Sequence, residues 1–156
     1  VVTGGPGKDT ISGDSGNDTL IGNAGDDNMK GGTGDDNLVG NAGDDKLFGN
    51  AGSDSLQGGH GKDLLRGGND NDILSGGNGD DSLHGEGGDD TLKGEGGDDT
   101  LKGEGGDDSI DGGDGDDDIT SGRGRDRIRG GRGDDSCTSD TDDSAPGSCE
   151  TNRRED

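Results

Sequence analysis

The chain has 156 residues, of which 40 are glycine, and sets 38 Asp and Glu against 14 Lys and Arg for a formal net charge of −24. Hydrophobic residues make up 17% and Phe48 is the one aromatic side chain, a balance too polar for a conventional enzyme core and, on composition alone, that of a solvated acidic coil. Such a charge repels phosphate backbones and anionic surfaces, stacking platforms are missing, and no apolar run approaches the ~20 residues of a spanning helix, so neither nucleic acid binding nor membrane insertion is expected.

Residues 1–3 read as a partial N-terminal strand, because Val2 falls at the apolar position of a truncated unit. No charged segment followed by an apolar stretch opens the chain, so a secretory leader is expected to be removed or to lie outside this sequence, and the mid-unit start leaves room for an upstream domain. Residues 4–138 then divide into fifteen consecutive nine-residue units without insertion or deletion, beginning GGPGKDTIS, GDSGNDTLI, GNAGDDNMK and GGTGDDNLV. Units 85–93 and 94–102 are the identical string GEGGDDTLK. Position 1 is Gly except at Ser121, position 4 is Gly except at Asp70, and position 6 is Asp throughout. Position 8 is Ile, Leu or Met until Cys137 in the last unit. A disordered acidic coil has no reason to keep this phase; stacked repeats do.

Within a unit, the last three residues place one apolar side chain between two outward neighbours, the period-2 mark of a short strand on which only position 8 faces inward. The first six are glycine-rich, as a loop requires where φ is positive and backbones approach closely. No segment carries a 3.6-residue apolar period, so no helix is expected.

The pattern G-G-x-G-x-D-x-U-x resembles the RTX calcium-binding nonapeptide over about 135 residues. The resemblance implies an all-β, right-handed parallel β-roll, a β-helix solenoid with two nonapeptides per turn, two parallel sheets and no helix. It assigns the first six residues of each unit to a calcium loop and the last three to a strand. Units of equal parity then stack 18 residues apart. One column of carboxylates holds Asp9, Asp27, Asp45, Asp63, Asp81, Asp99, Asp117 and Asp135; the other holds Asp18, Asp36, Asp54, Asp72, Asp90, Asp108 and Asp126.

Stacked carboxylates repel one another unless a cation lies between them. One aliphatic side chain in nine residues is also too thin a core to offset the entropy of ordering so much glycine. The resemblance implies that Ca2+ fills both needs, each ion held between successive loops by two position-6 carboxylates and loop carbonyls. Calcium takes six to eight oxygens at ~2.3–2.6 Å, magnesium demands a tighter octahedron, and zinc or copper would want His or Cys that the loops lack. Up to about 13 gaps separate successive loops, and that many doubly charged ions nearly cancel the net charge of −24. By the same resemblance the chain is a secreted, non-catalytic module that folds on binding calcium outside the cell; no protein partner is implied.

Residues 139–156 leave the repeat and read as a cap and tail. Pairing of Cys137 with Cys149 would close a loop of ~13 residues, pin the tail over the last turn and imply an oxidising compartment; free thiols are the alternative. The arginines from Arg123 to Arg132 read as a solvated face that softens acidic repulsion. Arg132-Gly133-Asp134 spells an integrin-type tripeptide inside positions that the repeat dictates. Asp114, Asp116 and Asp118 mimic an EF-hand start, but Ile119 stands where its glycine belongs and Arg125 where its Glu belongs. His60 and His84 lie at a loop and an outward strand position, and no catalytic motif is present. An ice-binding or adhesive array is the rival reading, but positions 7 and 9 repeat no single residue type. A fragment of a larger secreted enzyme or toxin is the further alternative.

Overall fold

The computed structural model describes residues 1–141, 143–147, 149 and 151–154. Among them there is no helix. The first strands are β1 (Val2–Thr3), β2 (Thr10–Ser15), β3 (Thr19–Ala24), β4 (Asn28–Thr33), β5 (Asn37–Ala42) and β6 (Lys46–Ala51). They continue as β7 (Ser55–His60), β8 (Leu64–Asn69), β9 (Ile73–Asn78), β10 (Ser82–Gly87), β11 (Thr91–Gly96) and β12 (Thr100–Gly105). The series ends with β13 (Ser109–Asp114), β14 (Asp118–Arg123), β15 (Arg127–Arg132), β16 (Ser136–Ser139), β17 (Ser144–Gly147) and β18 (Thr151–Arg154).

Two nine-stranded parallel sheets divide these by parity, β1-β3-β5 through β17 in one and β2-β4-β6 through β18 in the other. The result is a parallel β-roll of about 8 turns. Leu20 faces Leu38 and Leu38 faces Leu56, so the register is the 18-residue spacing that two nonapeptides per turn demand. The two tail strands extend both sheets, Ser144 pairing with Arg127 and Asn152 with Cys137.

One expectation, the length of the strands, needs correcting. The strands from β2 to β15 are six residues long, because positions 1–3 of the next unit continue each one, and the turn contracts to positions 4–6. Positions 2 and 3 resume pairing after the position-1 glycine, as Asn23 with Asn41 and Ala24 with Ala42. The position-4 amide then closes the turn onto the next one, Gly25 N–H donating to the Ala42 carbonyl at 2.7 Å.

Two sets of side chains are buried. Position 8 forms a single file from Ile11 to Cys137, each side chain at most 6% exposed, and these residues make one apolar cluster. The position-6 aspartates from Asp27 to Asp135 are buried as well, at 1–3% exposure. The three-residue turn folds their carboxylates back between the tiers.

Candidate metal centre

The aspartates form two continuous ladders. Oδ1 of Asp27 accepts the backbone N–H of Asp9 at 2.7 Å, and Oδ1 of Asp45 accepts that of Asp27 at 2.7 Å. The other column repeats the bond from Asp18 to Asp36 at 2.7 Å and onward. Each carboxylate reaches back one turn to the amide of its predecessor, as far as Asp135 on Asp117 at 3.1 Å. All fifteen position-6 residues therefore lie in the two columns that the 18-residue spacing predicts, Asp9 and Asp18 half-buried at the open end and the others buried.

The second oxygen behaves differently. Oδ2 of every position-6 aspartate from Asp27 to Asp117 is buried with no hydrogen-bond partner among the described residues. Asp9, at the open end, accepts the Gly5 backbone N–H on its Oδ2 at 2.7 Å. A buried ionised oxygen left in this way is costly.

Position 1 shows where that oxygen points. A Cβ added to Gly22 would collide with Oδ2 of Asp27 and would meet the carbonyl oxygen of Gly40, one turn further on, at 2.9 Å. The same holds for Gly85 against Asp90 and Gly103. The absent side chain leaves a cradle onto which a carboxylate oxygen and a backbone carbonyl converge.

Burial raises the proton affinity of these groups. It pushes the carboxyls of Asp45, Asp54, Asp63, Asp81, Asp90 and Asp117 up to about 6, against the lowering effect of the backbone N–H bond each accepts. Asp72, Asp99 and Asp108 reach about 7 for the same first cause, with like-charged neighbours adding to the rise. Asp70 contributes to that repulsion at both Asp54 and Asp72. It also stands at φ 74° in the place where the other units have a position-4 glycine.

A second ladder was not anticipated. Position-5 Asp and Asn side chains accept amides from the following turn, as Asp26 Oδ1 from Asp44 N–H at 3.1 Å and Asp89 Oδ1 from Asp107 N–H at 2.8 Å. It runs opposite in sense to the position-6 ladder and lies on the exposed rim. The signal was in the sequence, since most units carry Asp or Asn at position 5.

The remaining candidates take ordinary roles. His84 Nδ1 sits 3.1 Å from Glu104 and His60 Nδ1 3.0 Å from the Asn78 amide. Arg129 and Arg132 pair with Asp111 and Asp114 at 3.4 and 3.3 Å, which offsets local repulsion along the strand. Asp134 donates its amide to Asp116 within the position-5 ladder. Cys137 and Cys149 form a disulfide with Cα atoms 5.9 Å apart.

Among the described residues no three His, Cys, Asp or Glu side chains converge. A cation here would draw on carboxylates from adjacent tiers together with backbone carbonyls, an oxygen-only set suited to a hard ion. The fold and this donor set define a parallel β-solenoid with hard-cation loops. The sequence matches the RTX calcium-binding nonapeptide repeat in overlapping four-copy windows, the first at residues 3–38 and the last at 111–143. The chain belongs to that family, whose repeats bind Ca2+. No curated protein sequence matches it closely enough to count as a relative.

Proposed function

We propose that the chain is an extracellular, non-catalytic calcium module that is unfolded without the ion and folds as Ca2+ enters the gaps between successive position-6 aspartates. The observation that carries this reading is the buried Oδ2 of each aspartate from Asp27 to Asp117, partnerless and aimed at a glycine cradle that also presents a carbonyl oxygen. Calcium bound there would supply the positive charge that the ladder lacks. Asp9, Asp18 and the aspartates that follow them in each column would act as paired ligands, with up to about 13 ions in all. Since ligands brought together only by folding make binding energy into folding energy, the module would stay unfolded in a low-calcium cytosol and fold after export. The Cys137–Cys149 disulfide accords with an oxidising compartment.

Circular dichroism during a calcium titration tests the proposal. The expected result is a coil spectrum in excess chelator and cooperative growth of β-structure at millimolar Ca2+. A full β-spectrum in chelator at neutral pH would refute it.

A further inference from the structure

The repeats end at residue 138, yet the column through Asp108 and Asp126 acquires one more member. Oδ1 of Asp143 accepts the backbone N–H of Asp126 at 3.0 Å, the bond by which every ladder carboxylate holds its predecessor. Asp143 lies 17 residues beyond Asp126 instead of 18. Strand β17 carries the same offset where Ser144 pairs with Arg127, and the register then shifts before Gly147 meets Arg129. The tail thus delivers an aspartate to the ladder from outside the nonapeptide phase.

This carboxylate differs from those of Asp27 to Asp117 at its second oxygen. Oδ2 of Asp143 accepts the Ser121 hydroxyl at 2.8 Å and the Asp140 N–H at 2.9 Å. Ser121 is the one position-1 residue that is not glycine, and it is wholly buried. In the other units a Cβ at position 1 would press on the ladder carboxylate and occupy the cradle. Here a hydroxymethyl group does occupy it and turns a donor towards the added aspartate.

We propose that the gap between Asp126 and Asp143 takes no cation: the Ser121 hydroxyl and the Asp140 amide stand in for it, so that the tail forms a metal-independent cap on this column. The Cys137–Cys149 bond holds that cap in place by anchoring the tail to the buried end of the core file. The inference rests on the calcium reading of the other gaps. It gives the calcium-loaded roll one closed tier, at the end of this column, that needs no ion of its own.

Native mass spectrometry of the oxidised chain, saturated with calcium, counts the bound ions. Asp108→Asn, in the same column, is expected to lose at least one ion, whereas Asp143→Asn keeps the wild-type number. Loss of an ion with Asp143→Asn overturns the proposal. Should that variant fail to fold, Ser121→Ala provides a second arm. Exchange of the Asp126 amide about tenfold faster, at an unchanged ion count, supports the hydroxyl bridge, and unchanged exchange overturns it. A wild-type chain that binds no calcium at all would instead remove the reading of the other gaps, so the two failures are distinguishable.

Discussion

At the residue scale, the working unit is a pair, the aspartate at position 6 and the glycine at position 1 of the same nonapeptide. In the units with glycine at position 1 the two act together, because the carboxylate lies where a side chain there would stand; the unit of Ser121 and Asp126 is the exception. Asp90→Asn keeps an acceptor for the Asp72 amide but removes the charge that faces the cradle. It is expected to lower stability at saturating calcium by about 2–3 kcal/mol and raise the calcium midpoint, read by titration with circular dichroism. Asp70 shows the reverse situation. It holds a positive φ that glycine adopts freely and adds like charge to Asp54 and Asp72. Asp70→Gly should therefore stabilise the calcium-loaded roll by about 1 kcal/mol, measured by denaturant unfolding, and increase amide protection around residues 67–72. No gain in either measurement would mean that the wild-type turn carries no strain.

At the element scale, each strand pairs with neighbours 18 residues away and each turn binds the turn beside it, so stability adds up along one dimension. Leu83 is fully buried in the middle of the core file. Leu83→Ala should cost about 2–5 kcal/mol. Hydrogen exchange is expected to show the loss concentrated in β8, β10 and β12, with strands near either end little changed; a uniform loss would contradict one-dimensional coupling. Strand existence was legible from the nine-residue spacing of apolar residues, and the 18-residue register of Leu20, Leu38 and Leu56 followed once the RTX resemblance set two units per turn. Strand length was not legible, because positions 1–3 hold mostly glycine and polar residues with no repeating apolar position, and their pairing rests mainly on the backbone. The sequence signal for a strand is a side-chain pattern, and here half of every strand is built without one.

At the scale of the whole molecule, a net charge of −24 must be held in a rod whose ladder carboxylates are buried. Protons and calcium are alternative ways of neutralising them. In the metal-free roll the carboxyls of Asp72, Asp99 and Asp108 bind protons up to about 7, above their ordinary value of 3.8. The folded form then holds protons that the coil has already released, so metal-free stability is greatest near pH 4 and falls as pH rises towards 7. Calcium-free chain is expected to gain β-structure at pH 4.5 and lose it by pH 7.5, and the calcium midpoint should rise as pH is lowered from 7.5 to 5.5. A midpoint independent of pH would show that the buried carboxylates are not the groups that bind the ion. Magnesium at the same concentration should leave the chain a coil, since loop carbonyls in this flexible backbone suit a larger ion than an octahedral hydrate.

The sequence by itself determined the period, the apolar position and the invariant aspartate of each unit, because each is a property of spacing, and the resemblance to the RTX repeat, with two nonapeptides per turn, turned them into two sheets and two columns of aspartates. What the tertiary structure decided is the direction of the carboxylates. From Asp27 to Asp117, Oδ1 of each is spent on a backbone amide one turn back, and Oδ2 is left over a glycine of its own unit. It also decided that Asp143, out of phase by one residue, joins the ladder while its second oxygen is met by Ser121. No spacing rule could find that residue, since its place depends on how an irregular tail, tied through Cys149, lies across the last turn.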